Sequence, residues 1–228
     1  MTDAGNPVLQ AEGLFAGYGD LAAVRDLDLV VGAGEIVALL GPNGAGKTTT
    51  LKTLGGALPA IKGTVRWNGA VVTSPLHRRV RTGMGFIPEE RSVIGKLSVH
   101  DNLRLGRGPV DAALSMFPQL RPLLGRAGGL LSGGEQQMLT LARCLASKPS
   151  IILVDELSMG LAPIVVKSLF SILRSAAAEN GTAVLMVEQQ VQRALSIADR
   201  WYLLRHGALV GSGVTGATSV SDLSDAYM

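Results

Sequence analysis

The order of hydrophobic and polar residues predicts a chain in which strands alternate with helices. Val8 to Tyr18 and Val24 to Val31 alternate in part, as half-buried antiparallel strands do. Ile36 to Leu40 is continuously apolar, which is typical of a strand buried on both faces of a parallel sheet. Ile151 to Val154 and Ala183 to Val187 have the same character. The pattern therefore predicts an α/β fold with a mostly parallel sheet and an antiparallel β portion near the N-terminus.

Helices and turns fill the intervals between these strands. Apolar residues recur at helical spacing over Thr48 to Leu54 and over Ile164 to Ala178. Asn68-Gly69 interrupts Val65 to Val72, which predicts a hairpin with a primed turn. Two short strands are expected to close the pattern, Trp201 to Leu204 and Ala208 to Val210.

Residues 88–146 differ from the rest because they are rich in Gly, Pro and Leu and have little strand character. This stretch is expected to form a mainly helical subdomain. We therefore predict a single domain over residues 1–228, with a core of about 1–87 and 147–228 and a helical subdomain of about 88–146.

Within that stretch, one heptapeptide predicts the start of a helix. Leu131 to Gln137 reads Leu-Ser-Gly-Gly-Glu-Gln-Gln, and Ser132 with Glu135 fits a capping box. The free amides and the positive dipole end of a helix N-terminus attract anions. The heptapeptide is therefore expected to bind a negatively charged group, for which the chain itself offers no obvious candidate.

Composition and charge argue against nucleic-acid binding. Aromatic residues make up only 4% of the 228 residues, which argues against base stacking on single-stranded nucleic acid. The net charge is +3, and the densest basic cluster, Arg78, Arg79 and Arg81, is interpreted as a solvated loop face. We therefore expect no nucleic-acid partner.

The single cysteine and the apolar runs restrict the setting of the protein. Cys144 cannot form an internal disulfide, which fits a reducing compartment, and we interpret it as a small packed or semi-exposed thiol rather than a catalytic one. Met1 to Asn6 has no signal-peptide pattern, and no apolar run approaches the roughly 18 residues that span a bilayer. Direct membrane insertion is not expected.

A glycine-rich loop predicts the first chemical activity. The residues after Ile36 to Leu40 match G-x-x-x-x-G-K-[ST] in full, between a strand and a helix as the motif requires. Lys47 is expected to reach the β- and γ-phosphates of a nucleotide, and the Thr48 hydroxyl to hold Mg²⁺. The predicted ATP-binding set at this loop is Gly41, Pro42, Asn43, Gly44, Ala45, Gly46, Lys47, Thr48 and Thr49.

An acidic pair at the end of a buried strand supplies the second half of such a site. Asp155 follows Ile151 to Val154 and is expected to orient Mg²⁺. Glu156 is placed to polarise the water that attacks the γ-phosphate. The structural alternative is that the two carboxylates only cap the next element.

With these motifs in place, the chain resembles the ATP-binding cassette family, whose signature LSGGQ is similar to the heptapeptide. The resemblance implies that two cassettes pair head to tail over ATP. Ser132, Gly133 and Gly134 of one cassette would then contact the γ-phosphate held by the phosphate loop of the other. Tyr18 lies where the family stacks an aromatic ring on adenine, although a packed surface tyrosine is the alternative.

Four segments carry a closer resemblance, to the ATPases of branched-chain amino-acid importers. It implies an ATP-hydrolysing subunit, peripheral on the cytoplasmic face of the membrane, with ATP and Mg²⁺ as cofactors. The implied partners are a second cassette, two integral membrane permease subunits and, indirectly, an extracytoplasmic solute-binding protein. Importer ATPases for urea and short amides share the segments, so import of these solutes or of other amino acids stays open as an alternative. The segments are Ile87 to Arg91, Leu97 to Leu103, Gly160 to Ile164 and Val187 to Gln190.

Departures from the usual cassette set also carry predictions. Glu89 replaces the usual Gln, and its carboxylate is expected to bind Mg²⁺ or water. Gln189 replaces the usual switch His and is expected to contact the γ-phosphate or the water, but it cannot become cationic. Ala162 stands for the usual Asp and Leu157 for the usual Pro. Hydrolysis at this chain's own loop is therefore expected to be slower than at a partner's, and the partner to be a non-identical cassette.

Two functions from other classes are alternatives. One is a non-transport cassette ATPase acting on DNA or ribosomes, which the single cassette without a sustained heptad repeat disfavours. The other is a regulatory subunit that binds ATP but barely hydrolyses it, which Gln189 and Ala162 would suit. The intact Lys47, Asp155 and Glu156 favour hydrolysis. Closure of the two cassettes would push on the membrane partner through the region near Glu89 to Leu103.

Overall fold

Two β-sheets and the helices around them organise the chain in a computed structural model, which describes residues 7–19 and 21–216. The strands are β1 (Pro7–Tyr18), β2 (Leu21–Gly32), β3 (Ile36–Leu40), β4 (Ala60–Trp67), β5 (Ala70–Val71), β6 (Met84–Ile87), β7 (Ile151–Asp155), β8 (Ala183–Val187), β9 (Arg200–Arg205) and β10 (Ala208–Val214). The helices are α1 (Lys47–Gly55), α2 (Leu76–Arg81), α3 (Val99–Arg104), α4 (Val110–Met116), α5 (Gly133–Leu145), α6 (Pro163–Asn180) and α7 (Val191–Leu195). Residues 1–6, where the sequence predicts no signal peptide, lie outside the described part.

The larger sheet determines where the functional loops meet. Its strand order is β10-β9-β3-β8-β7-β6, and every neighbouring pair is parallel except β9 with β10. The carboxyl ends of parallel strands lie at one edge of a sheet, where ligands of open α/β folds bind. The loops after β3, β6, β7 and β8 therefore share that edge.

Burial on both faces explains the continuous apolar runs of the central strands. In β3, Ile36 and Leu40 join one hydrophobic cluster, whereas Val37 and Leu39 join the cluster on the opposite face. All five residues of β3 are buried, as are those of β7 and β8. The predicted α/β fold with a mostly parallel sheet is confirmed.

The smaller sheet is antiparallel, with the order β2-β1-β4-β5. Asn68 and Gly69 both have positive φ, 49° and 78°, as the primed turn of the predicted hairpin requires. The hairpin prediction is confirmed, and so is the partly alternating burial of β1 and β2.

Between β6 and β7 the chain contains α3, α4, α5 and two 3₁₀ turns, Pro118–Leu123 and Gly128–Leu130. Asn102 on α3 is fully buried and orders the preceding loop: its amide donates to the carbonyls of Ile94, Leu97 and Ser98 and accepts from the Ile94 N–H. The helical character predicted for this stretch is observed. The division into subdomains at residues 88 and 146 stays a prediction.

Three elements were not predicted from the sequence. β6 is four residues long and contains Gly85, so its pattern is too short to distinguish from a loop. α2 and α7 have six and five residues, less than two turns, and give no helical period.

The basic cluster on α2 corrects the interpretation of a solvated loop face. Arg78 and Arg81 are exposed, but Arg79 is only 4% exposed and lies on a helix. Its guanidinium donates to the carbonyls of Leu54 (2.6 Å), Ser74 (2.7 Å) and Val72 (3.1 Å). Arg79 therefore ties the end of α1 to the segment after β5, and it is not part of a surface charge patch.

Cys144 is half-buried, and its thiol packs against Gly85 of β6. A Cβ atom at Gly85 would lie 2.5 Å from the Cys144 Sγ. Burial raises the pKa of the Cys144 thiol from 9.0 to about 12, against the opposing effect of the neighbouring Arg143 charge. Within the described ranges, no helix is both long enough and apolar enough to cross a bilayer.

The raised pKa predicts a slow thiol reaction. At pH 8 the thiolate fraction of Cys144 is about 10³-fold below that of an unperturbed thiol, and the thiolate is the reactive form. We expect alkylation of the native protein by iodoacetamide to be slower than that of the urea-unfolded chain by about this factor. Equal rates in the two states, measured by mass spectrometry, would contradict the packed position.

Candidate functional site

The phosphate loop connects β3 to α1 and depends on glycine at two positions. Gly41 has φ 152°, and a Cβ there would lie 2.2 Å from the Leu204 carbonyl oxygen. Gly46 has φ 104°, and a Cβ there would lie 2.8 Å from the Val24 side chain. Glycine is required at both positions, because a side chain would be strained by the positive φ and would clash with the neighbouring atoms. The loop therefore leads directly into the N-terminus of α1, where free backbone amides can bind an anion.

Lys47 is the first residue of α1 and is held by the loop itself. Its Nζ donates to the carbonyls of Gly41 (2.7 Å) and Pro42 (3.0 Å). The side chain is 6% exposed, and burial lowers the pKa of the ammonium while Glu156 and Asp155 act to raise it. The ammonium is thus positioned beside the loop and faces the acidic pair.

Asp155 lies at the carboxyl end of β7, below the phosphate loop. The Thr48 hydroxyl donates to its Oδ1 at 3.3 Å. Burial raises the pKa of Asp155, and the nearby charge of Glu89 raises it further, whereas the bond from Thr48 lowers it. Hydroxyl and carboxylate oxygens are the donors that Mg²⁺ prefers, so Thr48, Asp155 and Glu89 fit that ion.

Glu156 adopts a conformation that few non-glycine residues take. Its φ is 51°, and its N–H donates to the Val187 carbonyl at 3.0 Å. Burial raises the pKa of its carboxyl group to about 7, the charge of Glu188 raises it too, and Lys47 and the Gln189 N–H lower it. A carboxyl group that titrates near neutrality can accept a proton from water at ordinary pH.

One cleft of about 380 Å³ brings most of the predicted residues together. Asp155 is not among the described residues that line the cleft, but it accepts a hydrogen bond from Thr48, which is. Ala23 of β2 also lines the cleft and was not predicted, because its alternating strand carries no chemical motif. The predicted residues that line the cleft are Asn43, Gly44, Gly46, Lys47, Thr48, Thr49, Glu89, Glu156 and Gln189.

The signature residues and Tyr18 are placed elsewhere. The described residues that line the cleft do not include Ser132, Gly133 or Gly134. Tyr18 ends β1, is 59% exposed, and is likewise not in the lining. The structure therefore brings together the phosphate loop and the acidic residues and leaves the heptapeptide outside their cleft.

The heptapeptide forms the predicted helix start. The Ser132 N–H donates to Glu135 Oε2 at 2.7 Å, and the Glu135 N–H donates to Ser132 Oγ at 3.4 Å, so the capping box is confirmed. The bond from the Ser132 backbone is the main reason for a lowered pKa of Glu135. The Arg91 guanidinium lies against Gly133, where a Cβ would be 2.6 Å from its Nη2. The exposed start of α5 therefore has the Arg91 guanidinium beside Gly133 and the Glu135 carboxylate on the Ser132 N–H.

A phosphate loop between β3 and α1, with an acidic pair at the end of the nearby parallel strand β7, defines the class as a P-loop nucleotide triphosphatase. Among known families, the one described as ABC transporter matches residues 24–158. A crystal structure of a nucleotide-free ATP-binding cassette from an ABC transporter superposes with a TM-score of 0.83 at 21% identity, over 96% of this chain and 94% of that one.

Three similar proteins are ATP-binding proteins of transport systems. The branched-chain amino acid transport ATP-binding protein BraG of Pseudomonas aeruginosa is 40% identical over 92% of this chain and 95% of its own length. The probable branched-chain amino acid transport protein LivF of Archaeoglobus fulgidus is 36% identical over 90% and 92%. The lipopolysaccharide export protein LptB of Acidithiobacillus ferridurans is 36% identical over 90% of each chain. The chain belongs to the ABC transporter family as an ATP-binding subunit, and it is an ATPase.

Proposed function

We propose that this ATPase energises the import of branched-chain amino acids. The observation that carries the proposal is the 40% identity to BraG over 92% of the chain. The segments Ile87 to Arg91 and Gly160 to Ile164, which resemble importer ATPases, support it. LptB of an export system is similar at 36% identity, so lipopolysaccharide export is the second candidate. Import of urea or short amides is the third.

The geometry of the cleft supports a distinct role for each of its residues. Backbone amides among residues 43–49 would bind the phosphates of ATP, and Lys47 would turn from the loop carbonyls to the β- and γ-phosphates. Thr48, Asp155 and Glu89 would hold Mg²⁺, which when bound offsets phosphate charge and orients the γ-phosphate. Their oxygen donor set and the buried, charge-rich position of Asp155 support that assignment.

Glu156 would take the proton of the attacking water, because its pKa of about 7 suits a base at neutral pH. Gln189 lines the same cleft and would hold that water or a γ-phosphate oxygen through its amide. Since Gln189 stays neutral, it adds no positive charge to the transition state. This supports the proposal that the chain works beside a non-identical cassette with a faster site.

Head-to-tail pairing would give the signature its ligand. Ser132, Gly133 and Gly134 are outside the chain's own cleft, at an exposed helix start that attracts anions. In the pair they would contact the γ-phosphate held by the partner cassette. Tyr18, exposed at the end of β1, would stack on the adenine of the chain's own ATP.

A groove between β6 and α5 supports contact with a permease on the cytoplasmic face of the membrane. It has a volume of about 190 Å³ and is lined by Phe86, Leu105 and Arg143, among others. Leu105 follows α3 and is 55% exposed, which suits an apolar partner. The groove lies beside the region from Glu89 to Leu103, through which closure of the cassettes would move two permease subunits. An extracytoplasmic solute-binding protein would deliver the solute to them.

Uptake assays in the source cells test this proposal. With Lys47→Ala in place of the native chain, initial uptake of radiolabelled leucine, isoleucine and valine is expected to fall to background, because ATP binding is lost. Lys62→Ala, on the exposed part of β4, is the matched control and should leave uptake unchanged. Unchanged amino-acid uptake with loss of urea uptake would contradict the proposal, and so would unchanged uptake with loss of surface lipopolysaccharide.

A further inference from the structure

A second buried carboxylate lies behind Glu156, and the proposed reaction gives it no role. Glu188 follows β8 directly and is 1% exposed. Both of its oxygens accept hydrogen bonds from Ser158: Oε1 from the backbone N–H at 3.1 Å and Oε2 from the hydroxyl at 2.7 Å. The two residues are 30 positions apart in the chain, and the pairing of β7 with β8 brings them together.

Hydrogen bonds and a nearby positive charge offset part of the cost of burying this carboxylate. A buried charge is stable only when it is hydrogen-bonded and compensated. Burial raises the pKa of Glu188, but the two bonds from Ser158 and the charge of Arg193 lower it. Arg193 of α7 also binds the same serine, donating to its carbonyl at 3.3 Å and to its hydroxyl at 3.2 Å. Ser158 is therefore held from two sides.

Ser158 belongs to the turn that carries Glu156. The Met159 N–H donates to the Glu156 carbonyl at 3.2 Å, and Glu156 has the positive φ of 51°. A non-glycine residue keeps such a conformation only where its surroundings over-determine it. On one side the Glu156 N–H binds the Val187 carbonyl, and on the other Ser158 binds Glu188. Two consecutive residues at the end of β8 thus fix both ends of the segment 156–158.

We propose that Glu188 is a positioning residue for ATP hydrolysis, which clamps Ser158 and so holds the Glu156 carboxylate in the cleft. Glu188 itself does not line the cleft among the residues described there. The inference rests on the proposed role of Glu156 as the catalytic base.

Steady-state Mg-ATPase assays on the full-length chain test the clamp. Glu188→Ala is expected to lower kcat by about 10²-fold, the effect of misplacing a reacting group by roughly 1 Å. The KM for ATP should change by less than about twofold, because Glu188 is not among the described residues that line the cleft. Glu188→Gln keeps an acceptor oxygen for Ser158 and should restore most of kcat. Glu179→Ala, an exposed glutamate of α6, is the control and should match the wild type.

A double-mutant cycle with Glu156 separates positioning from a general structural role. If Glu188 acts through Glu156, then adding Glu188→Ala to Glu156→Gln should leave the residual rate unchanged within about twofold. An equal fall in both backgrounds, a KM that rises with the loss of kcat, or a Glu188→Gln variant as slow as Glu188→Ala would each overturn the inference. Where Glu188→Ala fails to fold, Ser158→Ala, which removes the hydroxyl and keeps the backbone bond, takes its place in the cycle. Near-normal turnover of Glu156→Gln alone would instead overturn the proposed base.

Discussion

Glu156→Gln is expected to lower ATP turnover by roughly 10²–10⁴-fold while ATP stays bound. The amide has nearly the size of the carboxylate and can keep the hydrogen bond from the Gln189 N–H, but it cannot accept a proton from water. The nucleotide should therefore persist in a closed pair of cassettes. Phosphate release measures the first effect, and size-exclusion chromatography with labelled ATP measures the second.

Lys47→Ala is the matched control for this variant. It removes the ammonium that lies beside the loop, so both ATP binding and turnover should be lost. The two variants thus differ in whether nucleotide is retained. Near-normal turnover in Glu156→Gln would exclude Glu156 as the base, whatever the behaviour of Lys47→Ala.

The second large effect is expected from Ser132→Arg. Because Ser132 is outside the chain's own cleft, the affinity of the isolated chain for ATP should be unchanged. In the paired complex the long side chain would occupy the space in front of the α5 N-terminus, and turnover at the partner's site should fall by at least roughly 10²-fold. Nucleotide titration of the isolated chain and phosphate release by the complex give the two values.

Ser132→Ala controls for the loss of the helix cap. Removing the Ser132 hydroxyl deletes the bond to the Glu135 N–H and costs about 1 kcal/mol of stability. It adds no bulk, so the complex should keep far more activity than with Ser132→Arg. Loss of ATP binding by isolated Ser132→Arg would contradict head-to-tail pairing.

Local sequence predicted the parts of the site whose chemistry lies within one segment. The phosphate loop needs glycines, a lysine and a hydroxyl in a fixed order, and the structure folds them between β3 and α1 as predicted. The capping box at Ser132 is equally local, because its two hydrogen bonds join residues three apart. Apolar runs of four or five residues predicted the central strands, since burial on both faces favours apolar side chains along them.

Long-range contacts explain what the sequence did not predict. Arg79 is buried because carbonyls of Leu54, Val72 and Ser74 converge on it, and nothing in the neighbouring basic residues indicates that. Glu188 and Ser158 meet only through the pairing of β7 with β8. Glu188 lies in the segment Val187 to Gln190, which resembles the family, but the sequence does not indicate that Ser158 is its partner.

The central claim is that this chain completes the ATP site of a second cassette. A photoreactive ATP analogue with an aryl azide on the γ-phosphate tests it directly, with the Lys47→Ala chain assembled beside a partner that binds ATP. Irradiation is expected to label the Lys47→Ala chain within Leu131 to Gln137, as mapped by mass spectrometry, and Ser132→Arg is expected to remove the label. Labelling confined to the partner's own phosphate loop, with none on this heptapeptide, would contradict head-to-tail completion of the partner's site.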